Sequence, residues 1–152
     1  MNKTLLVSAI ENGTVIDHIN AGQALRIIHL LDLRAKKYCV TVGMNLPSKH
    51  MSFKDIIKIE NLVLKNEQAN EVTVFAPEAT INIIRNFEVV QKITTTLPPY
   101  IENVFDCPNP VCITRTEPVV TFFNIETESK QVNLVCKYCE KKFDRNEVKV
   151  KI

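Results

Sequence analysis

The chain has 152 residues, 45% of them aliphatic or aromatic, and a formal net charge of +2, which allows one ordinary domain or two small ones with packed cores. No run approaches the roughly twenty apolar residues of a membrane span, and the N-terminus lacks a long apolar signal core, so a soluble cytoplasmic protein with no membrane partner is expected. The charge balance disfavours a polycationic nucleic-acid binder: up to residue 100 eleven basic residues face nine acidic ones, and beyond it eight face eight.

In chain order, Leu5 to Ile10 and Thr14 to Ile19 are short β-rich runs around the turn-forming dipeptide Asn12-Gly13. Asn20 can cap a following helix, with Gln23 at the position of a reciprocal capping partner. Ala24, Ile27, Ile28 and Leu31 then fall on one helical face suited to packing on a sheet. Tyr38 to Met44 predicts a strand with Cys39 buried in it, and Pro47 predicts that pairing stops in the loop from Asn45 to Ser48. Lys54 to Glu60 predicts a strand that puts Ile57 and Ile59 on one face and Ile56, Lys58 and Glu60 on the other. A second helix is expected from Asn66 to Phe75, ended by Ala76-Pro77, followed by paired strands Thr80 to Ile84 and Phe87 to Ile93 around Arg85-Asn86.

Leu97-Pro98-Pro99-Tyr100 reads as a domain boundary, because consecutive prolines favour an extended connector that continues neither element. The expected domains are residues 1–97 and 98–152. A piece as short as the second rarely buries enough apolar area to fold alone, and a structural metal is a common remedy. Val119 to Ile125 and Gln131 to Val135 are strand-like, so a small antiparallel β unit is expected there.

Four of the five cysteines occur as two tight pairs in that second part. Cys107 and Cys112 are separated by four residues, Cys136 and Cys139 by two, and the pairs by twenty-three. Two ligands on each of two short turns can set four sulfurs at the corners of a tetrahedron about 4 Å on edge, closed by Zn–S bonds of about 2.3 Å. The filled tetrahedron makes the metal structural. Iron suits the same cage, and two local disulfides would need an oxidising compartment.

The three histidines, His18, His29 and His50, have no local nucleophile motif beside them. With glycine only at positions 13, 22 and 43, there is neither a P-loop nor a dinucleotide fingerprint, so a phosphate site would lean on side chains. Asp17-His18, Lys58 and Lys92 could meet across a sheet as a ribose acceptor and two ammonium groups, although strand lysines also commonly just face water. Lys137, Lys141, Lys142 and Arg145 around the second cysteine pair fit either a zinc ribbon on nucleic acid or local compensation of thiolate charge. The neutral balance of this part favours compensation.

Five segments carry a more specific signal: Gly13-Thr14-Val15-Ile16-Asp17-His18-Ile19, Gly43-Met44-Asn45-Leu46-Pro47-Ser48, Asp55-Ile56-Ile57-Lys58-Ile59-Glu60-Asn61, Cys107-Pro108-Asn109 and Cys136-Lys137-Tyr138-Cys139-Glu140. In this order and at these separations they closely resemble the regulatory chains of aspartate carbamoyltransferase, across almost the whole length. The resemblance implies a non-catalytic subunit of α+β class, with an N-terminal ferredoxin-like, sheet-and-two-helix allosteric domain and a small C-terminal antiparallel β domain that binds zinc through Cys107, Cys112, Cys136 and Cys139. It further implies regulatory homodimers formed through the allosteric domains, and catalytic trimers held by the zinc domains in an assembly of six catalytic and six regulatory chains.

By the same resemblance, CTP with UTP inhibits the first committed step of pyrimidine synthesis and ATP activates it. The nucleotide site would comprise Val7, Ile10, Asp17, Lys58, Asn82, Ile84, Val89 and Lys92, with His18 and Asn82 toward a second nucleotide and a bridging Mg²⁺. Three positions depart from the family pattern: Phe87 where tyrosine occurs, Thr94 where a basic residue occurs, and Val111 in place of a polar residue in the first cysteine loop.

Overall fold

The computed structural model describes residues 9–151, which form two compact units divided between Thr96 and Leu97. Most of the expected Leu5–Ile10 strand and the whole of Val7 lie outside the described residues; Ala9 and Ile10 are irregular.

The first unit runs β1 (Gly13–Asn20), α1 (Ala24–Leu30), β2 (Val40–Ser48), β3 (Ser52–Glu60), α2 (Asn66–Val72), β4 (Thr80–Arg85) and β5 (Glu88–Ile93). Its sheet has the order β2-β3-β1-β4-β5 with every pair antiparallel. The first four strands and two helices are a ferredoxin-like split βαβ arrangement, extended by β5 as a hairpin on β4. Period-two alternation divides the sheet cleanly. Ile16, Ile57, Ile59, Ile81 and Ile83 face a core in which Ala24 and Ile27 of α1 and Ala69 and Val72 of α2 are also solvent-free. The opposite face carries a transverse row of paired residues, Thr41, Lys58, Val15, Asn82 and Lys92, with Asp17 two residues along β1 from Val15.

Several local expectations are corrected. Gly13 is not the corner of a hairpin but the first residue of β1, at φ +144, where an added Cβ would lie 2.0 Å from the Ile59 carbonyl oxygen. The Asn20 side chain does not cap α1. Instead the buried carboxylate of Asp55, on β3, accepts the Gly22 and Ala24 N–H groups on Oδ2 at 3.0 and 3.2 Å and the Asn45 N–H on Oδ1 at 3.0 Å. Strand β2 does not stop at Pro47: Leu46, Pro47 and Ser48 pair with Lys54, Phe53 and Ser52 after a bulge. β2 is an edge strand, where proline's missing N–H costs no ladder bond. Cys39 is exposed rather than buried, just ahead of that edge, and the neighbouring Glu60 carboxylate pushes its thiol pKa up. Helix α2 ends at Val72, before the β-branched Thr73 and Val74 continue as a turn.

The second unit contains β6 (Tyr100–Glu102), β7 (Phe105–Asp106), a 3₁₀ turn (Ile113–Arg115), β8 (Phe122–Glu128), β9 (Gln131–Cys136), β10 (Lys142–Asp144) and β11 (Lys149–Val150). The sheet order β10-β9-β8-β6 is antiparallel, with a separate β11-β7 ribbon. Ile101, Phe105, Phe123, Val132, Leu134 and Phe143 are its small core. Phe105 and Phe123 meet edge to face at 6.4 Å. Strand β8 starts three residues later than Val119 and extends past Ile125, while Cys136 does close β9.

Candidate ligand cleft and metal centre

A cleft of about 460 Å³ opens on the sheet face away from the helices. Of the residues proposed for a nucleotide site, Ile10, Asp17, Lys58, Asn82, Ile84 and Val89 line it. The same residues combine one carboxylate, one ammonium group, an amide and an aliphatic wall. His18 and Lys92 do not line it. His18 sits at the β1 bulge with φ 56 and Nδ1 3.1 Å from Thr80 Oγ1, and Lys92 is exposed beside Asn82 on the neighbouring strand. Thr94 lies beyond the end of β5 and is also outside the cleft lining.

Electrostatics make this cleft more than a depression. Partial burial lowers the Lys58 pKa, and the nearby Asp17 charge opposes that shift without cancelling it. Lys54 Nζ forms an ion pair with Asp17 Oδ1 at 2.9 Å, and the same oxygen accepts the His18 N–H at 2.6 Å. The buried Oδ1 of Asn82 has no hydrogen-bond partner among the described residues. An acceptor left in this state is commonly completed by a ligand donor or an ordered water. Phe87 also lines the cleft, on the two-residue β4–β5 turn, with φ 66 and its N–H bonded to the Glu11 carbonyl at 2.9 Å. A bulky residue in left-handed conformation is strained, and Phe87 is 63% exposed at the cleft mouth.

Lys54, Leu46 and Pro47 are not among the residues the sequence assigns to a nucleotide site, and Phe87 is named there only as a departure from the family pattern. Lys54 was findable: it stands two and four residues before Ile56 and Lys58 on an alternating strand, so it shares their face. Leu46 and Pro47 reach the cleft only because β2 continues past the expected loop.

In the second unit the four sulfurs of Cys107, Cys112, Cys136 and Cys139 all lie within 4.8 Å of one another. Cys107 and Cys139 Sγ are 3.7 Å apart, and Cys112 and Cys136 Sγ 3.8 Å. A tetrahedron with Zn–S bonds of about 2.3 Å has edges of about 3.8 Å, so the donor set fits zinc. The loops are shaped by local bonds. Asn109 accepts the Val111 N–H on Oδ1 and the Cys112 N–H on its carbonyl, at 3.2 and 3.1 Å. In the second loop the Glu140 N–H returns to the Cys136 carbonyl at 2.9 Å, with Glu140 at φ 60. Arg115 ties the first loop by donating to the Cys107 carbonyl at 3.0 Å.

Burial pushes the Cys107 and Cys136 thiols up. Burial acts the same way on Cys112, but hydrogen bonds from the Thr114 hydroxyl and N–H and from neighbouring thiols outweigh it and bring Cys112 down to about 7. Four thiols this close cannot all ionise against one another; a divalent cation supplies the missing charge. A bound zinc ion would cross-link the two loops and, with four thiolates around it, leave no position for a substrate. Of the basic residues nearby, Lys142 pairs with Glu126 and Glu128 at 3.1 and 3.3 Å, and Lys137 lies 4.9 Å above the Phe122 ring.

A polar, ligand-sized cleft on one sheet and a four-cysteine, zinc-type donor set in a second unit define a two-unit protein with a metal-binding module. Family models extend this to particular relatives: the aspartate carbamoyltransferase regulatory chain allosteric domain matches residues 5–96, and the metal binding domain of the same chain matches residues 99–149. Curated aspartate carbamoyltransferase regulatory chains are similar over nearly their full lengths. That of Chromobacterium violaceum is 50% identical over 146 residues, covering 96% of each chain. Those of Baumannia cicadellinicola and Sodalis glossinidius are 51% and 47% identical over 144 residues, covering 95% of this chain and 92% and 94% of theirs. The chain belongs to the aspartate carbamoyltransferase regulatory chain family and is a regulatory, non-catalytic subunit. Among the described residues no helix is long and apolar enough to cross a membrane.

Proposed function

We propose that residues 1–97 form an allosteric nucleotide-binding domain and residues 98–152 a zinc domain that docks the catalytic chains of aspartate carbamoyltransferase. The observation that carries the reading is the convergence of Asp17, Lys54, Lys58, Asn82 and an aliphatic wall of Ile10, Ile84 and Val89 on one open cleft. A nucleoside triphosphate needs that combination: ammonium groups for phosphates, a carboxylate for ribose hydroxyls and apolar surface under a base. CTP and UTP inhibit and ATP activates, with His18 and Asn82 toward a second nucleotide and Mg²⁺, and Lys92 reaching in from the neighbouring strand.

On the second unit, Val111 at the tip of the first cysteine loop is 82% exposed and Ile113 just after it 51%. Apolar side chains on a metal-stiffened loop suit a protein partner better than water. The zinc domain therefore docks the catalytic trimer through this loop, and regulatory homodimers complete a cytoplasmic assembly of six catalytic and six regulatory chains that controls pyrimidine synthesis. A nucleotide acts at a distance only by binding one global state better than the other, a coupling of about 1–3 kcal/mol.

The test is the activity of catalytic trimers reconstituted with this chain, titrated with CTP, UTP and ATP. Lys58→Met is expected to abolish the response and leave assembly and basal activity intact. A wild-type complex indifferent to all three nucleotides would remove the allosteric assignment.

A further inference from the structure

We propose that the Asp17–Lys54 ion pair makes the cleft selective for sugar-bearing nucleotides over free inorganic polyphosphate. This inference rests on the reading of the cleft as a nucleotide site and adds the residues that reject the commonest competing anion.

The chemistry follows from how Asp17 is used. Its Oδ1 is engaged twice, by Lys54 Nζ at 2.9 Å and by the His18 N–H at 2.6 Å. Its Oδ2 has no hydrogen bond among the described residues, and both side chains of the pair are only about a fifth exposed, at 20% for Lys54 and 22% for Asp17. Both residues line the cleft, with Lys58 and Asn82 beside them. A polyphosphate entering alone meets Lys58, the already paired Lys54 and a carboxylate that repels it; drawing Lys54 away would leave the part-buried Asp17 with only the Lys58 charge, for which the phosphates compete. A nucleotide brings the compensation with it. Its ribose hydroxyls donate to Oδ2 while its phosphates approach the cations, so Asp17 keeps a partner whichever way Lys54 leans. Selectivity arises from a group that only the sugar can satisfy, as in sites that reject analogues lacking a hydroxyl.

The experiment is calorimetric titration of the zinc-loaded full chain with CTP, ATP and inorganic tripolyphosphate at fixed ionic strength, for wild type, Asp17→Asn and Lys54→Met. Asparagine keeps an Oδ1 acceptor for the His18 N–H, so the β1 bulge is retained, and far-UV CD checks it. Wild type is expected to bind the nucleotides at least tenfold more tightly than tripolyphosphate. In Asp17→Asn tripolyphosphate should gain about tenfold while the nucleotides weaken, so the preference collapses. Lys54→Met, which leaves Lys58 facing the carboxylate, should weaken tripolyphosphate by about a further tenfold and the nucleotides less, so the preference widens. Equal affinity of wild type for tripolyphosphate and nucleotides, or an unchanged preference in Asp17→Asn, overturns the inference while leaving the nucleotide site standing. If wild type binds neither CTP nor ATP, the nucleotide reading itself fails and this inference fails with it.

Discussion

Replacing Asp55 with alanine should be among the most damaging single changes in the first unit, although Asp55 touches no proposed ligand. Its carboxylate is solvent-free and accepts three backbone N–H groups: Gly22 at 3.0 Å, Ala24 at 3.2 Å and Asn45 at 3.0 Å. One side chain thus fixes the approach to α1, caps the helix and pins the β2 bulge. Each buried donor left unsatisfied costs roughly 1–3 kcal/mol. The Ala24 bond is buried while the other two are part-buried and recover some water, so the sum for Asp55→Ala is about 4 kcal/mol. Asp55→Asn keeps one acceptor oxygen but turns an NH₂ toward an N–H, and should cost about 2 kcal/mol. Urea unfolding of the zinc-loaded chain followed by far-UV CD measures both, and hydrogen exchange should place the loss in residues 21–30 and 43–48. A loss below about 1 kcal/mol for Asp55→Ala would refute the reasoning, because it would mean that water or another acceptor replaces all three bonds.

Four further outcomes are expected. Cys136→Ser, or a chelator, should remove the metal and raise hydrogen exchange in β8 and β9 while β1, β3 and β4 stay protected; uniform loss across both units would contradict separate units. Lys58→Met should weaken CTP binding by about 10- to 100-fold in calorimetry, as expected for loss of a charge-assisted contact. The pH dependence of that binding has a definite sign. Partial burial lowers the Lys58 pKa in the free cleft and phosphate raises it again, so the bound state holds more protons and affinity falls as pH rises from the depressed value toward the usual 10.5; a flat alkaline profile would count against Lys58 as a phosphate ligand. Phe87→Gly should relieve left-handed strain of about 1 kcal/mol, raising the urea midpoint, while weakening nucleotide binding through loss of the ring at the cleft mouth.

The features legible in the sequence are those that depend on short-range spacing. The metal knot is one, because two turns of fixed ligand separation suffice to imply four converging sulfurs. The strands β1, β3, β4 and β9 are another, since alternation alone sorts Ile57 and Ile59 from Ile56 and Lys58. What escaped depends on residues far apart in the chain. Asn20 is a sound local cap, but Asp55 displaces it from 31 residues beyond Ala24, a choice visible only once β3 lies beside β1. Pro47 stops a central strand yet continues an edge strand, and Cys39 is exposed for the same reason; edge status is a property of the sheet order. Lys54 shares the face of Ile56 and Lys58 one step toward the N-terminus, so its place in the cleft follows from the same alternation.

Regulation of catalytic trimers through a zinc-held unit requires that the two kinds of chain assemble only when the metal is bound. Native mass spectrometry of the chain mixed with the catalytic aspartate carbamoyltransferase trimer of its own host, with and without a chelator, tests it most directly. A species of six catalytic and six regulatory chains is expected to form with zinc and to disperse without it. Trimers and regulatory chains that remain separate in the presence of zinc would contradict it.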